Sequence, residues 1–207
     1  MSRIENELNI QSSYYFRWKT IDIEMINRLK CEGHEIGYHF ETIADYVKQE
    51  SMGDVNKFNL GNSKSECIKL FEQNLLKFRE ITKAPCTTVA SHGSRVNAQL
   101  GISNNVLLES QSVKDRLGIV LETYDKKYLK EFDIYISDTQ MEVNDGFRYG
   151  TNPMAAIDQC IPRIMLLTHP NHWAFSLKTK ARRTVKILIF GKSTDKEAFA
   201  YRNNLRI

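Results

Sequence analysis

The feature that most constrains this chain is an alternation. Short apolar runs of strand length recur along it, separated by stretches with helical spacing. Ser12–Arg17, His34–Gly37, Thr87–Ala90, Asp133–Ser137 and Arg163–Thr168 read as strands, the first and last of them as buried ones. Strands joined through helices run parallel, because a crossover of a dozen or more residues returns the chain to the same end of the sheet. The expected class is α/β: parallel strands on a barrel-like or open scaffold, covered by helices. Polar sites in such folds form where strands end on their carboxyl side.

The helices between these runs have their own signals. Residues 2–9 read as the end of a helix. Over Ile21–Glu32, Met25, Ile26 and Leu29 share one face, and Gly33 can supply a left-handed cap. Glu41–Lys48 reads as helical, and the polar stretch 49–62 as a loop. Ser63 with Glu66 three residues on forms a capping-box pattern. It is expected to open a long helix with Cys67, Phe71, Leu75, Phe78 and Ile81 on one stripe, stopped before Pro85. Leu117–Leu121 reads as a strand interrupted by Gly118, and Met154–Cys160 as a short helix. From Ala174 the chain reads as mostly helical, although Val185–Phe190 could pair as a strand.

All five histidines fall in three short motifs tied to these strands: Gly33-His34-Glu35-Ile36-Gly37-Tyr38-His39, Ser91-His92-Gly93-Ser94 and His169-Pro170-Asn171-His172-Trp173. Imidazole suits both metal binding and proton transfer near neutral pH. Arg17, His39, His92, Asp138 and His169 all stand at or just past expected strand ends, which places them together as site candidates. His39, His92 and Asp138 carry metal-ligating atoms, and His169 can donate a proton to a leaving group. Gly37 and Gly93 would let backbone approach a metal or substrate closely. His34 reads as a structural hydrogen-bonding residue, and His172 as an exposed loop residue. Asp138 is equally readable as a turn cap, and Trp173 as a core lid or as a sugar-stacking surface. His34 and Glu35 do not make a zincin helix, since H-E-x-x-x-H has the wrong spacing. Ser91 and Ser94 sit in no G-x-S-x-G elbow.

Composition narrows the class. The 207 residues fit a single domain, 1–207, with a sizeable core. The net charge of +4 does not demand nucleic acid, and Lys178–Arg183 reads as a solvated helix face. The four cysteines are far apart and form no C-x-x-C pair, which argues against a disulfide framework or zinc finger. There is no apolar signal core and no run of membrane-spanning length, so a reduced, cytoplasmic location is the default expectation.

Three motifs together resemble the polysaccharide deacetylases, the NodB-like carbohydrate esterases. GHEIGYH at 33–39 is similar to their GHEIGNH segment, Ser13-Tyr14-Tyr15-Phe16 to their ATFF strand, and Leu166-Leu167-Thr168-His169 to their late LxLH strand. The likeness runs from about residue 5 to 173 and is closest to divergent members with GYHxE, a strand-ending HG, D-T and HPxxW. It implies a distorted (β/α) barrel of the glycoside hydrolase/deacetylase type. It also implies a divalent metal, commonly zinc, that activates water to attack an N-acyl group on a sugar. His39 would be the first metal histidine and His169 the general acid. His92 would be a second ligand, with Asp138 also catalytic and Arg17 and Trp173 lining the substrate pocket.

Two departures bear on activity. The second metal histidine would fall at position 43, which is Ile43, and His92 is the preferred replacement over Glu41. The family's opening strand, with its paired aspartates, has no counterpart in residues 1–11, which hold Glu5 and Glu7 but no aspartate. A barrel without that strand leaves two exposed strand edges, which a partner chain could cover; the sequence sets no oligomeric state. The expectation is therefore a weakened or inactive metal-dependent hydrolase of N-acylated carbohydrate. The alternative is a non-catalytic carbohydrate-binding or interaction domain on the same fold.

Overall fold

The computed structural model describes residues 1–139, 147 and 152–173. The chain divides into two compact units, Met1–Asp125 and Lys126–Ile207. In the first, β1 (Ser13–Phe16), β2 (Glu35–Phe40), β3 (Thr88–Ser91) and β4 (Leu121–Glu122) form one sheet in the order β1-β2-β3-β4. Every pairing is parallel. Its helices are α1 (Ser2–Glu7), α2 (Ile23–Cys31), α3 (Thr42–Glu50), α4 (Leu60–Thr82), α5 (Arg95–Leu100) and α6 (Gln111–Arg116). The second unit contains α7 (Lys126–Leu129), β5 (Ile134–Ser137), α8 (Pro153–Asp158) and β6 (Ile164–Leu167), with β5 and β6 paired in parallel. The α/β class with parallel strands is thus present; the described pairings make two sheets and include no barrel closure.

Helix ends follow local chemistry. Asp22 caps α2 by accepting a hydrogen bond from the Met25 amide at 3.0 Å. At its other end Gly33 takes φ +83°, and the amides of Gly33 and His34 reach back to the Lys30 and Leu29 carbonyls, a Schellman closure that aims the chain into β2. Ile26 and Leu29 are buried as expected, but Met25 is exposed. The long helix begins earlier than the Ser63 capping-box pattern implies. Asn59 is its N-cap and accepts from the Asn62 amide at 3.2 Å, so Ser63 lies inside the first turn. Asparagine caps as well as serine does, and the earlier cap prevails. Its buried stripe runs Cys67, Phe71, Leu75, Phe78 and Thr82. Ile81 sits one residue off that rhythm of four- and three-residue steps and is 40% exposed.

The core of the first unit lies between α4 and the sheet. Tyr38 stacks on Phe78 at 5.2 Å, and Phe40 meets Phe71 edge-on at 4.7 Å. Tyr38 and Phe40 alternate with His39, so the same pleat that buries the aromatic rings sends the imidazole to the opposite face. A second cluster joins Ile43 and Val47 of α3 to Cys67 and Leu107. Gly37, between Ile36 and Tyr38, has a packing role. A side chain there would run into the Tyr15 ring and stand 2.9 Å from the Thr88 carbonyl, so glycine lets β1 lay its tyrosine across β2.

Three strand expectations need correction. β1 is an edge strand with only Phe16 buried, and β6 leaves Leu166 51% exposed, so neither is a fully buried strand. An apolar run alone does not distinguish an edge from a centre. Of Leu117–Leu121 only Leu121 enters a strand, the two-residue β4, and Gly118 turns the chain with φ +61°. Leu117 and Ile119 still enter the core. Arg79 of α4 closes this region by donating to the carbonyls of Pro85 (2.9 Å), Leu117 (2.9 Å), Cys86 (3.0 Å) and Gly118 (3.2 Å). The expectations for Lys178–Arg183 and Val185–Phe190 lie outside the described residues.

Candidate functional site

Parallel strands bring their carboxyl ends to one edge of the first sheet, and polar residues collect there. Arg17 follows β1, His39 is next to last in β2, Glu41 follows it, His92 follows β3, and Glu122 ends β4. His39 Nε2 and His92 Nδ1 share a hydrogen bond of 2.9 Å, with the ring centroids 4.8 Å apart. The His92 amide is itself tied to the Phe40 carbonyl at 2.7 Å. Arg17 donates to Glu41 Oε2 at 2.5 Å and Lys19 to Oε1 at 3.0 Å. Burial opposes ionisation of Glu41, but Lys19 and Arg17 outweigh it and hold the carboxyl below its ordinary value. The guanidinium expected to line a substrate pocket is therefore engaged with Glu41.

The second unit gathers the other expected residues. Ser137 lies opposite Leu167, so Asp138 and the segment leading to His169 leave the two strands side by side. Asp138 is fully buried. Its Oδ1 accepts from His169 Nδ1 at 2.6 Å; its Oδ2 accepts from the His169 backbone N–H at 2.6 Å and from the Trp173 indole at 2.9 Å. His172 Nδ1 stands 3.3 Å from Oδ2. Burial would raise the Asp138 carboxyl, but the hydrogen bonds from His169 and Trp173 outweigh it and hold it below the usual carboxylate value.

His172 is not the exposed loop residue expected; only 8% of its side chain is exposed. Pro170 opens a 3-10 turn over Pro170–His172, capped by His169. Residues three apart eclipse in that geometry, so the two imidazoles come to the same side, 4.9 Å apart. The H-P-N-H spacing carried this signal, since proline favours the first position of such a turn. Asp138, His169 and His172 each offer a ligand atom, all within 4.8 Å of one another, and the group could hold a metal ion. Among the described residues it is the one set of three such side chains.

Glu122 escaped the sequence reading. It accepts hydrogen bonds from the amides of Ser91 (3.0 Å) and Tyr124 (2.9 Å), and burial pushes its carboxyl up to about 7. Nothing in Leu121-Glu122 announces this; only burial and the facing amides make the residue unusual. His34 keeps its structural role, with Nδ1 accepting from the Ser12 amide at 3.2 Å. All four cysteines are free thiols.

No family model, no curated protein and no solved structure matches this chain. The fold and its polar clusters define an α/β protein with parallel strands and a buried Asp/His/His group able to hold a metal ion. Among the described residues, no helix is long and apolar enough to cross a membrane.

Proposed function

We propose that this chain is a metal-dependent hydrolase of the polysaccharide deacetylase type, removing an N-acyl group from a sugar. The supporting observation is the group formed by Asp138, His169 and His172. One carboxylate and two imidazoles suit zinc in hydrolytic sites, where three protein ligands leave a position for water. Asp138, His169 and His172 would each hold the ion through one ligand atom, and binding would release the protons those atoms carry. Asp138 Oδ2 is steadied by the His169 amide and the Trp173 indole, outer support of the kind that orients metal ligands. Bound zinc would supply an activated water and polarise the acyl carbonyl. Asp138 orients the imidazoles, and the 37% exposed Trp173 offers an indole face to a sugar ring. On this placement His169 and Asp138 serve as ligands rather than as the acid and its partner. His39 and His92, whose nitrogens lie 2.9 Å apart, are the rival pair. The proposal keeps the distorted (β/α) barrel and the cytoplasmic location.

Metal analysis of the purified protein tests this. Stoichiometric zinc is expected, lost in Asp138→Asn, His169→Ala and His172→Ala and retained in His39→Ala. Loss in His39→Ala with retention in the other three would move the metal to the rival pair. The zinc-loaded protein should release acetate from N-acetylated sugar oligomers, and a chelator should stop it. Unchanged release after chelation would sink the metal-dependent reading. A zinc-free protein that binds the oligomers without cleaving them would put the binding domain in its place.

A further inference from the structure

The His39–His92 pair is held by something neither histidine motif contains. Asn104 opens the 3-10 segment Asn104–Leu108 and is completely buried. Its Oδ1 accepts from the Ile43 amide at 2.8 Å, across 61 residues of chain. Its Nδ2 donates to the His92 carbonyl at 2.7 Å and to Asn97 Oδ1 at 3.2 Å. Asn97, also buried, donates to the Ile102 carbonyl at 2.9 Å and accepts from the Ser94 hydroxyl at 2.6 Å. The two asparagines thus bind the segment after β3, where His92 lies, to the first turn of α3, which follows His39 by way of Phe40 and Glu41.

The need for this link is visible in α3. The first amides of a helix lack acceptors within it and look to a capping side chain. Glu41 holds the capping position but makes no such bond. Its carboxylate is taken by Arg17 and Lys19. Asn104 supplies the acceptor instead, and its amide nitrogen grips His92 at the same time. With the His92 N–H on Phe40 at 2.7 Å, the His92 backbone is held on both sides.

We propose that Asn104 is the positioning residue that sets the relative orientation of the His39 and His92 imidazoles. One planar side chain ties the His92 carbonyl to the first turn of α3, four residues past His39. The β2–β3 pairing and the His92–Phe40 bond fix how close the two segments lie, and Asn104 adds the constraint that fixes the angle between the rings. The inference concerns the first unit alone and does not rest on the hydrolase reading; zinc elsewhere, or no zinc, leaves it standing.

The test is the scalar coupling between nitrogens across the His39–His92 hydrogen bond, measured on the full chain with 15N-labelled histidine after chelator treatment. The coupling is expected in the unaltered protein and expected to vanish in Asn104→Ala. Val47→Ala, a cavity in the neighbouring core cluster, lowers the melting temperature without touching either link and should retain it. Asn104→Asp keeps an acceptor for the Ile43 amide but, ionised, cannot donate to His92. It should protect that amide from hydrogen exchange while losing the coupling, and it serves if Asn104→Ala fails to fold. Coupling that persists in the folded Asn104 variants would overturn the proposal, as would equal loss in Val47→Ala, which marks a purely structural role.

Discussion

Asp138 and Glu122 are both buried carboxylates at strand ends, and their surroundings treat them in opposite ways. Asp138 faces imidazole, indole and amide donors, which favour the charged form. Glu122 accepts from two backbone amides, but its burial outweighs them and the Asp125 charge adds to it, which favours the neutral form. The signs of their pH effects differ accordingly. Asp138 titrates lower folded than unfolded, so its contribution is complete above the unfolded value of about 3.9 and fades as pH falls through the folded value. Asp138→Asn should flatten the acid side of the stability profile and destabilise by roughly 2 kcal/mol near neutrality, as for lost hydrogen bonds to a charged group; chemical denaturation at several pH values reads both. Glu122 titrates near 7 folded, against a reference of 4.5, so stability falls as pH rises through that window and levels off above it. Glu122→Gln should remove this decline relative to the unaltered protein; an identical slope in both would show that Glu122 does not titrate there. At this scale the sequence was partly readable. Asp138, His169 and Trp173 stand at or beyond strand ends and could be nominated. His172 depended on a proline-opened turn, and Glu122 on amides supplied by other segments.

Among elements, α4 organises the first unit, and its stripe of buried residues follows from spacing as far as Phe78, beyond which Thr82 rather than Ile81 is buried. Its start did not, because two good caps stand four residues apart and only the fold selects Asn59 over Ser63. Arg79, which looks like an ordinary solvent-facing residue of that helix, holds four carbonyls from two loops. Arg79→Met should cost about 3 kcal/mol, since hydrogen bonds to a charged donor are worth more than neutral ones. Arg79→Lys should recover only part, because an ammonium cannot match the fork of the guanidinium; urea melts compare the two. Gly37→Ala should destabilise by about 1–3 kcal/mol through overpacking against Tyr15. Adding Tyr15→Ala should relieve part of that loss, and strict additivity in the double-mutant cycle would rule the contact out as the cause. Strand burial was the least legible property, because the apolar runs of β1 and β6 resemble those of a sheet centre.

At the scale of the whole molecule, alternation alone pointed to parallel strands, and the paired registers bear that out. Which distant strands join is not written in local periodicity, so barrel closure had no comparable signature. The first unit holds its four-stranded sheet and both core clusters within residues 1–125. A chain limited to those residues should therefore unfold in one cooperative transition by circular dichroism; a featureless melt would show that its core depends on the second unit. The sheet order β1-β2-β3-β4 is also the order of the chain. No strand has to be inserted between two that have already paired. During synthesis each strand can dock on the last one laid down while the remainder is still in the ribosome, so each new strand of this sheet adds at the newest edge and never has to displace an earlier one.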